Sequence, residues 1–288
     1  YWVARIGLKP LIKLSHEAQR LAPPLLSARL QLSPLPPELD QFVTSFNSTL
    51  ERVEQAYTRL ESFNADVAHE LRSPLTNLIG QTQVALTRGR SAEHYFEVLQ
   101  SNLEELERLR SIINDMLFLA SADQGSKATA LTQASLAEEV ATTLDYLDYI
   151  LEDAQVRVAV SGDAQAPIEK AQLRRALINL LNNAVQHTAP NQVIQVRIDS
   201  GPSQVSIAVS NPGPAIEDAH LPLLFERFYR VDAARSNSGG GNHGLGLAIV
   251  KAIALMHGGE VFVRSEAGAN TFGIRLPSAQ LRGFAAEA

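Results

Sequence analysis

Between residues 92 and 122 the apolar side chains fall on one line. Leu99, Leu103, Leu106, Ile113, Leu117 and Ala120 recur in alternating steps of four and three, with Arg110 holding one place in the series. That is the heptad seam of a helix, broken by a single arginine. The preceding stretch from about Leu60 to Arg88 is helical as well, and Gly89 and Ser91 mark a turn between the two. A lone hairpin cannot bury such a seam, so two copies joined in a four-helix bundle are the natural solution. The seam therefore predicts a homodimer.

Upstream, apolar residues at Leu8, Leu11, Ile12, Leu14, Ala18 and Leu21 suggest a short helix. A Pro-rich connector runs from Pro23 to Pro37. A second helix starts near Glu38, with Leu39, Phe42, Phe46, Leu50, Val53, Tyr57 and Leu60 stepping by three or four. Nothing interrupts it before Phe63, so a rotation or shift is free to pass into the hairpin. At the start, Tyr1 and Trp2 precede Arg5, Lys9, Lys13, Arg20 and Arg29, with only Glu17 to oppose them. Interfacial aromatics followed by basic residues suit the cytoplasmic side of a transmembrane helix, and a basic surface helix reads equally well.

Beyond a polar linker, 123–132, the pattern changes to α/β. Leu136–Leu151 is helical, as are 169–187 and about 244–257. Alternating residues at 156–160, 194–198, 205–209, 261–263 and 272–276 predict strands. Strands outnumber crossover helices, which favours a mixed sheet covered on one face. The formal charge of -6 argues against nucleic acid as a partner, and the absence of cysteine excludes thiolate metal sites and disulfides.

Residues 69–75 read His-Glu-Leu-Arg-Ser-Pro-Leu. On a helix, Val67, Leu71, Leu75 and Leu78 share one face, His69 lies roughly 200° round from Val67, and Ser73 is about 40° further. His69 is thus open to solvent, as either a nucleophile or an inert surface histidine. A neutral imidazole is a competent nucleophile near neutral pH, with Glu70 placed to orient its second nitrogen. Pro74 removes a backbone donor and loosens the helix beside it. The segment resembles the phosphoacceptor motif of sensor histidine kinases.

Four later segments carry the same resemblance in the family's order. Asn179-Leu180-Leu181-Asn182-Asn183-Ala184-Val185-Gln186-His187-Thr188 places Asn179, Asn183 and Gln186 on one helical side and Leu177, Leu181 and Ala184 on the other. It is similar to the asparagine box of GHKL ATP-binding domains, which implies Asn183 as the magnesium ligand and Asn179 as its support. Gln186 stands where a basic residue is usual. Ser210-Asn211-Pro212-Gly213-Pro214-Ala215-Ile216, after a strand, resembles the adenine pocket, with Asn211 for the usual aspartate and Ala215 for a glycine. An asparagine offers both donor and acceptor, so it is expected to bind ATP while discriminating less sharply against GTP. Leu224 to Asp232, with Phe225, Arg227 and Arg230, resembles the phenylalanine box; its bland reading is a packed amphipathic helix. Gly239 to Leu247 contains Gly244-Leu245-Gly246, whose glycines let backbone amides approach phosphates ahead of a helix N-terminus. The stretch before Gly244 is expected to be a lid. The turn Gly268-Ala269-Asn270-Thr271-Phe272 resembles the family's last motif.

The resemblance implies three parts: a HAMP-like helical relay at 1–61, a dimerisation and histidine phosphotransfer hairpin at 62–124, and an α/β sandwich ATPase domain of the GHKL type at 133–279. It implies autophosphorylation of His69 from ATP and Mg²⁺, transfer to an aspartate of a response regulator, and dephosphorylation of that regulator, in which Ser73 would take part. It also implies upstream transmembrane and sensor segments in an inner membrane. The departures at Asn211 and Asn242-His243 are similar to the heavy-metal-responsive branch. The competing classes are a GHKL ATPase that is not a kinase, and a degenerate scaffold that binds nucleotide without turnover.

Overall fold

The computed structural model describes residues 29, 37–87, 89, 91–231, 243–266 and 268–278. Apart from Arg29, the expected first relay helix and most of its connector lie outside these residues, as does the expected lid up to Asn242. The chain divides into two compact units between Ser73 and Pro74. Among the described residues no helix is long and apolar enough to cross a membrane.

Helix α1 spans Pro37–Thr87 and continues through Pro74. The run expected to be uninterrupted from Glu38 onward is therefore helical throughout. In the first unit Val43 is buried, Phe42 and Phe46 stack one turn apart, and Arg29 pairs with Glu54 at 2.5 Å.

In the second unit, Gly89 and Ser91 lead to helix α2, Ala92–Asp123. Ser91 caps it by accepting the His94 amide, and Glu93 in the first turn complements the helix dipole. The two sides of α2 have different fates. The seam residues Leu99, Leu103, Leu106, Ile113 and Leu117 remain exposed, whereas Ile112, Met116 and Leu119 on another face are buried.

The rest is an α/β sandwich. A five-stranded sheet, ordered β2-β4-β5-β7-β6, holds β2 (Arg157–Ser161), β4 (Val193–Ser200), β5 (Gln204–Gly213), β6 (Glu260–Glu266) and β7 (Gly268–Pro277). Only β2 and β4 run parallel. Along β4, Ile194, Val196 and Ile198 point inward while Gln195, Arg197 and Asp199 point out, the signature of a sheet covered on one face. The cover is helices α3 (Leu136–Asp153), α4 (Lys170–Gln186) and α5 (Gly246–Met256), through Leu136, Val140, Leu173, Leu177, Leu181 and Ile253, none more than 1% exposed.

Two short strands escaped the periodicity: β1 (Thr132–Ser135) and β3 (Gln165–Ile168) pair antiparallel. Four residues are too few to show alternation. They bracket α3, whose N-terminus is capped by Ser135 and by Asp163, which accepts from the Ala137 and Ala164 amides and the Ser135 hydroxyl. Those bonds hold the Asp163 carboxyl below the usual aspartate range. Glu139 is buried on α3. Burial alone would raise its pKa, but Arg174 at 2.6 Å and Lys170 at 3.0 Å reverse the direction and lower it. His257 is satisfied on both nitrogens, with Nδ1 donating to the Ile253 carbonyl and Nε2 accepting the Glu169 amide.

Candidate nucleotide and phosphoacceptor sites

His69 and Ser73 are both exposed on α1, Glu70 is half-buried, and Pro74 is buried. Solvent access at His69 therefore agrees with the helical reading. Leu75, expected on the apolar face, is 52% exposed within this single chain.

On α4, Leu177, Leu181 and Ala184 are buried as expected, but the opposite side is not a plain solvent face. Asn183 is only 8% exposed, and its amide makes no hydrogen bond among the described residues. Its amide atoms are not fully enclosed, so a ligand can still reach them from the pocket side. Asn179 donates to the Arg175 carbonyl at 2.9 Å, and its Oδ1 lies where a Cβ on Gly246 would approach to 2.8 Å. A side chain at 246 would push the Asn179 amide aside, so glycine keeps that amide against the start of α5. Gln186 is exposed.

The phenylalanine segment corrects the helical alternative. After a 3₁₀ turn at Leu221–Leu223 it continues as turns and bends, because both Phe228 and Gly244 adopt positive φ and are zipped together. The Phe228 amide donates to the Gly244 carbonyl at 3.0 Å, and a Cβ on Gly244 would lie 2.8 Å from the Phe228 backbone. Phe225 is buried edge-on against Phe272, and Leu245 is buried. Arg227 reaches the hairpin, pairing with Asp123 at 2.6 Å. Arg230 is exposed, and its charge, after burial, helps hold the His187 pKa below the ordinary histidine value.

Asn211 lies inside β5, not in a loop after it, and is 2% exposed. Its NH₂ donates to the Pro212 carbonyl at 3.1 Å and the His187 carbonyl at 3.5 Å. These acceptors remove the flip that the sequence leaves open and leave Oδ1 to act as an acceptor, as an aspartate would. Likewise 268–272 is strand, with Asn270 opposite Asn211 and Thr271 opposite Ser210, whose hydroxyls meet at 2.7 Å. Sequence reasoning gave no place to Ser265. It receives the Ile216 amide and donates to Asn270 Oδ1, while Asn270 Nδ2 donates to the Pro214 carbonyl, so the pair fixes the 213–216 loop. A serine in a strand carries no signal of that task.

Two groups thus assemble along α4: Asn179, near its middle, with Gly244, Gly246 and Phe228 around the glycine motif, and His187, just past its C-terminus, with Asn211, Gly213 and Thr271 around the strand ends. Residues 59–125 match the His Kinase A (phospho-acceptor) domain family, and residues 168–280 match the histidine kinase-, DNA gyrase B-, and HSP90-like ATPase family. The sensor histidine kinase CusS of Escherichia coli is 43% identical over 273 residues, covering 94% of this chain and 57% of CusS. The chain belongs to the sensor histidine kinases. Another relative in this family, the sensor protein CzcS of Cupriavidus metallidurans, is 38% identical over 276 residues, covering 96% of this chain and 58% of its own. This histidine kinase chain therefore spans a little over half the length of those relatives. Its fold is similar to that of the histidine kinase ThkA, solved in complex with the response regulator TrrA, with a TM-score of 0.62, 21% identity, and coverage of 79% of this chain and 64% of that one.

Proposed function

We propose that this chain is the kinase portion of a membrane-anchored sensor, which phosphorylates its own His69 from ATP and passes the phosphoryl group to a response-regulator aspartate. The observation that carries the reading is the pairing, in one chain, of an exposed histidine beside a carboxylate with Asn183 on α4, one turn beyond the Asn179 that meets the glycine-opened start of α5. A non-kinase ATPase has no use for the first, and a decayed scaffold has no reason to keep the second.

A neutral His69 nitrogen attacks the γ-phosphorus, the bond from phosphorus to the bridging oxygen breaks, and ADP leaves. The proton on the other ring nitrogen is then shared with Glu70. Little covalent work falls to the protein in such a loose transition state, so positioning dominates. Asn211 Oδ1 accepts the adenine amine, and Phe225 and Leu245 wall the pocket. The amides before α5 meet the phosphates, with Arg230 adding positive charge. A magnesium ion would be held by the Asn183 amide oxygen and would neutralise phosphate charge; taking most of its shell from water and phosphate, it needs few protein oxygens.

Two copies are proposed to join through the exposed seam of α2 and through Leu75, Ile79 and Val84 of α1. Membership of the heavy-metal-responsive branch is supported by the departures at Asn211 and Asn242-His243 and by the likeness to CusS and CzcS. The deciding experiment is incubation with labelled ATP and Mg²⁺. Acid-labile label should appear on the parent and vanish in His69→Gln; label that persists in the variant, or resists acid, defeats the assignment.

A further inference from the structure

We infer that Arg108, on the hairpin, completes the triphosphate site of the ATPase domain, so that nucleotide affinity depends on the two being docked. This rests on the ATP-dependent reading above.

One stripe of α2 carries the contact with the ATPase domain. Ile112, Met116 and Leu119 are buried along it. Asp115 takes the Arg175 guanidinium at 2.5 Å, and the same guanidinium lies 4.2 Å over the Phe118 ring. Asp123 takes Arg227 at the C-terminal end. At the other end of the stripe Arg108 Nε donates to His243 Nε2 at 3.0 Å. His243 immediately precedes Gly244, and α5 begins at Gly246 against Asn179. A hairpin cation is thereby placed at the root of the glycine motif.

The charge balance gives this contact a purpose. A triphosphate brings several negative charges, against which Asn179, Asn183 and Gln186 on α4 offer only neutral amides and Arg230 a single charge. Of the cations beside these motifs, Arg175, Arg227 and Lys251 are each held by a carboxylate at 2.5–2.7 Å. Arg108 differs. Its bond to His243 is to a neutral acceptor, because an imidazole nitrogen that accepts carries no proton. Its nearest carboxylate, Glu105, stands at 4.0 Å, beyond hydrogen-bond distance. The guanidinium has five N–H donors in a fixed fork and spends one on His243, which leaves charge and donors for a phosphate oxygen. Glu105 Oε1 is buried without a hydrogen-bond partner and steadies the cation from behind by charge alone.

The competing account is a mechanical clip, in which Arg108 merely holds the domains together. The two differ in how the effect scales with phosphate number. Equilibrium binding of ATP, ADP and adenosine to the whole chain with Mg²⁺ separates them, using the parent, Arg108→Ala, Arg108→Lys and Arg108→Glu. Because Arg108 is partly exposed, loss of its charge-assisted contact should weaken ATP about five- to tenfold in Arg108→Ala. The loss should be larger in Arg108→Glu, smaller for ADP, absent for adenosine, and partly restored in Arg108→Lys. A nucleotide-free melt matching the parent confirms that the variants are folded. ATP affinity that is unchanged or tighter in Arg108→Ala overturns the inference, as does an equal shift for ATP and adenosine. A parent that bound no ATP would instead overturn the reading on which the inference rests.

Discussion

Replacing Asn183 by alanine should separate stability from function in an unusual direction. Asn183 is 8% exposed as a residue, and its amide atoms are not fully enclosed. A group that water still reaches loses little of its hydration, so the cost of its position is about 1 kcal/mol or less. Alanine relieves that cost and gives up a few packing contacts in exchange, so the nucleotide-free melt should stay within about 1 kcal/mol of the parent, roughly 2–4 °C for a domain of this size. Ligand behaviour should diverge sharply. Mg-ATP at a hundredfold excess over its Kd stabilises the folded state by about 2.7 kcal/mol, which corresponds to roughly 5–11 °C. The parent should show that rise, and Asn183→Ala should lose nearly all of it. Melts of the ATPase domain with and without Mg-ATP measure both quantities. Should Asn183→Ala melt more than about 5 °C below the parent without nucleotide, the amide has a structural job that the geometry does not reveal. Should Mg-ATP protect the variant as fully as the parent, the magnesium assignment is wrong.

Ser73 shares the exposed side of α1 with His69, one turn on, so Ser73→Ala should leave autophosphorylation intact and slow dephosphorylation of the regulator; equal loss of both, read with phosphorylated regulator as substrate, would indicate a distorted helix instead. Asp163 caps α3 through two amides and a hydroxyl, and Asp163→Ala should cost about 1 kcal/mol in urea unfolding at neutral pH. Because the folded carboxyl has a lowered pKa, that stability is fully present above the unfolded aspartate value and disappears as pH falls through the folded one, so parent and variant should converge below about pH 4. A gap that persists in acid would mean the cap acts through shape and not charge.

What the sequence made legible follows from which forces act locally. The alternation along β4 and the core side of α4 repeat over several residues, and each repeat records one burial decision. Asn183 and Gly246 were readable as a motif, but the sequence could not say that the first is buried or that the second leaves room for Asn179 Oδ1. Those facts depend on where α5 meets α4, a contact between segments that are far apart in the chain. The short strands β1 and β3 failed for lack of length, and the phenylalanine segment because two residues with positive φ, Phe228 and Gly244, override a helix-like pattern. Asn211 shows the limit most clearly. From the sequence an asparagine in place of an aspartate weakens base reading, since its amide is free to flip. In the fold two carbonyls, those of Pro212 and His187, claim the NH₂ and leave the oxygen as an acceptor. The substitution therefore changes the strength of the acceptor more than its identity. Both carbonyls are backbone groups, the nearer from the next residue and the other, that of His187, from 24 positions away in sequence, so no side-chain pattern could have announced them.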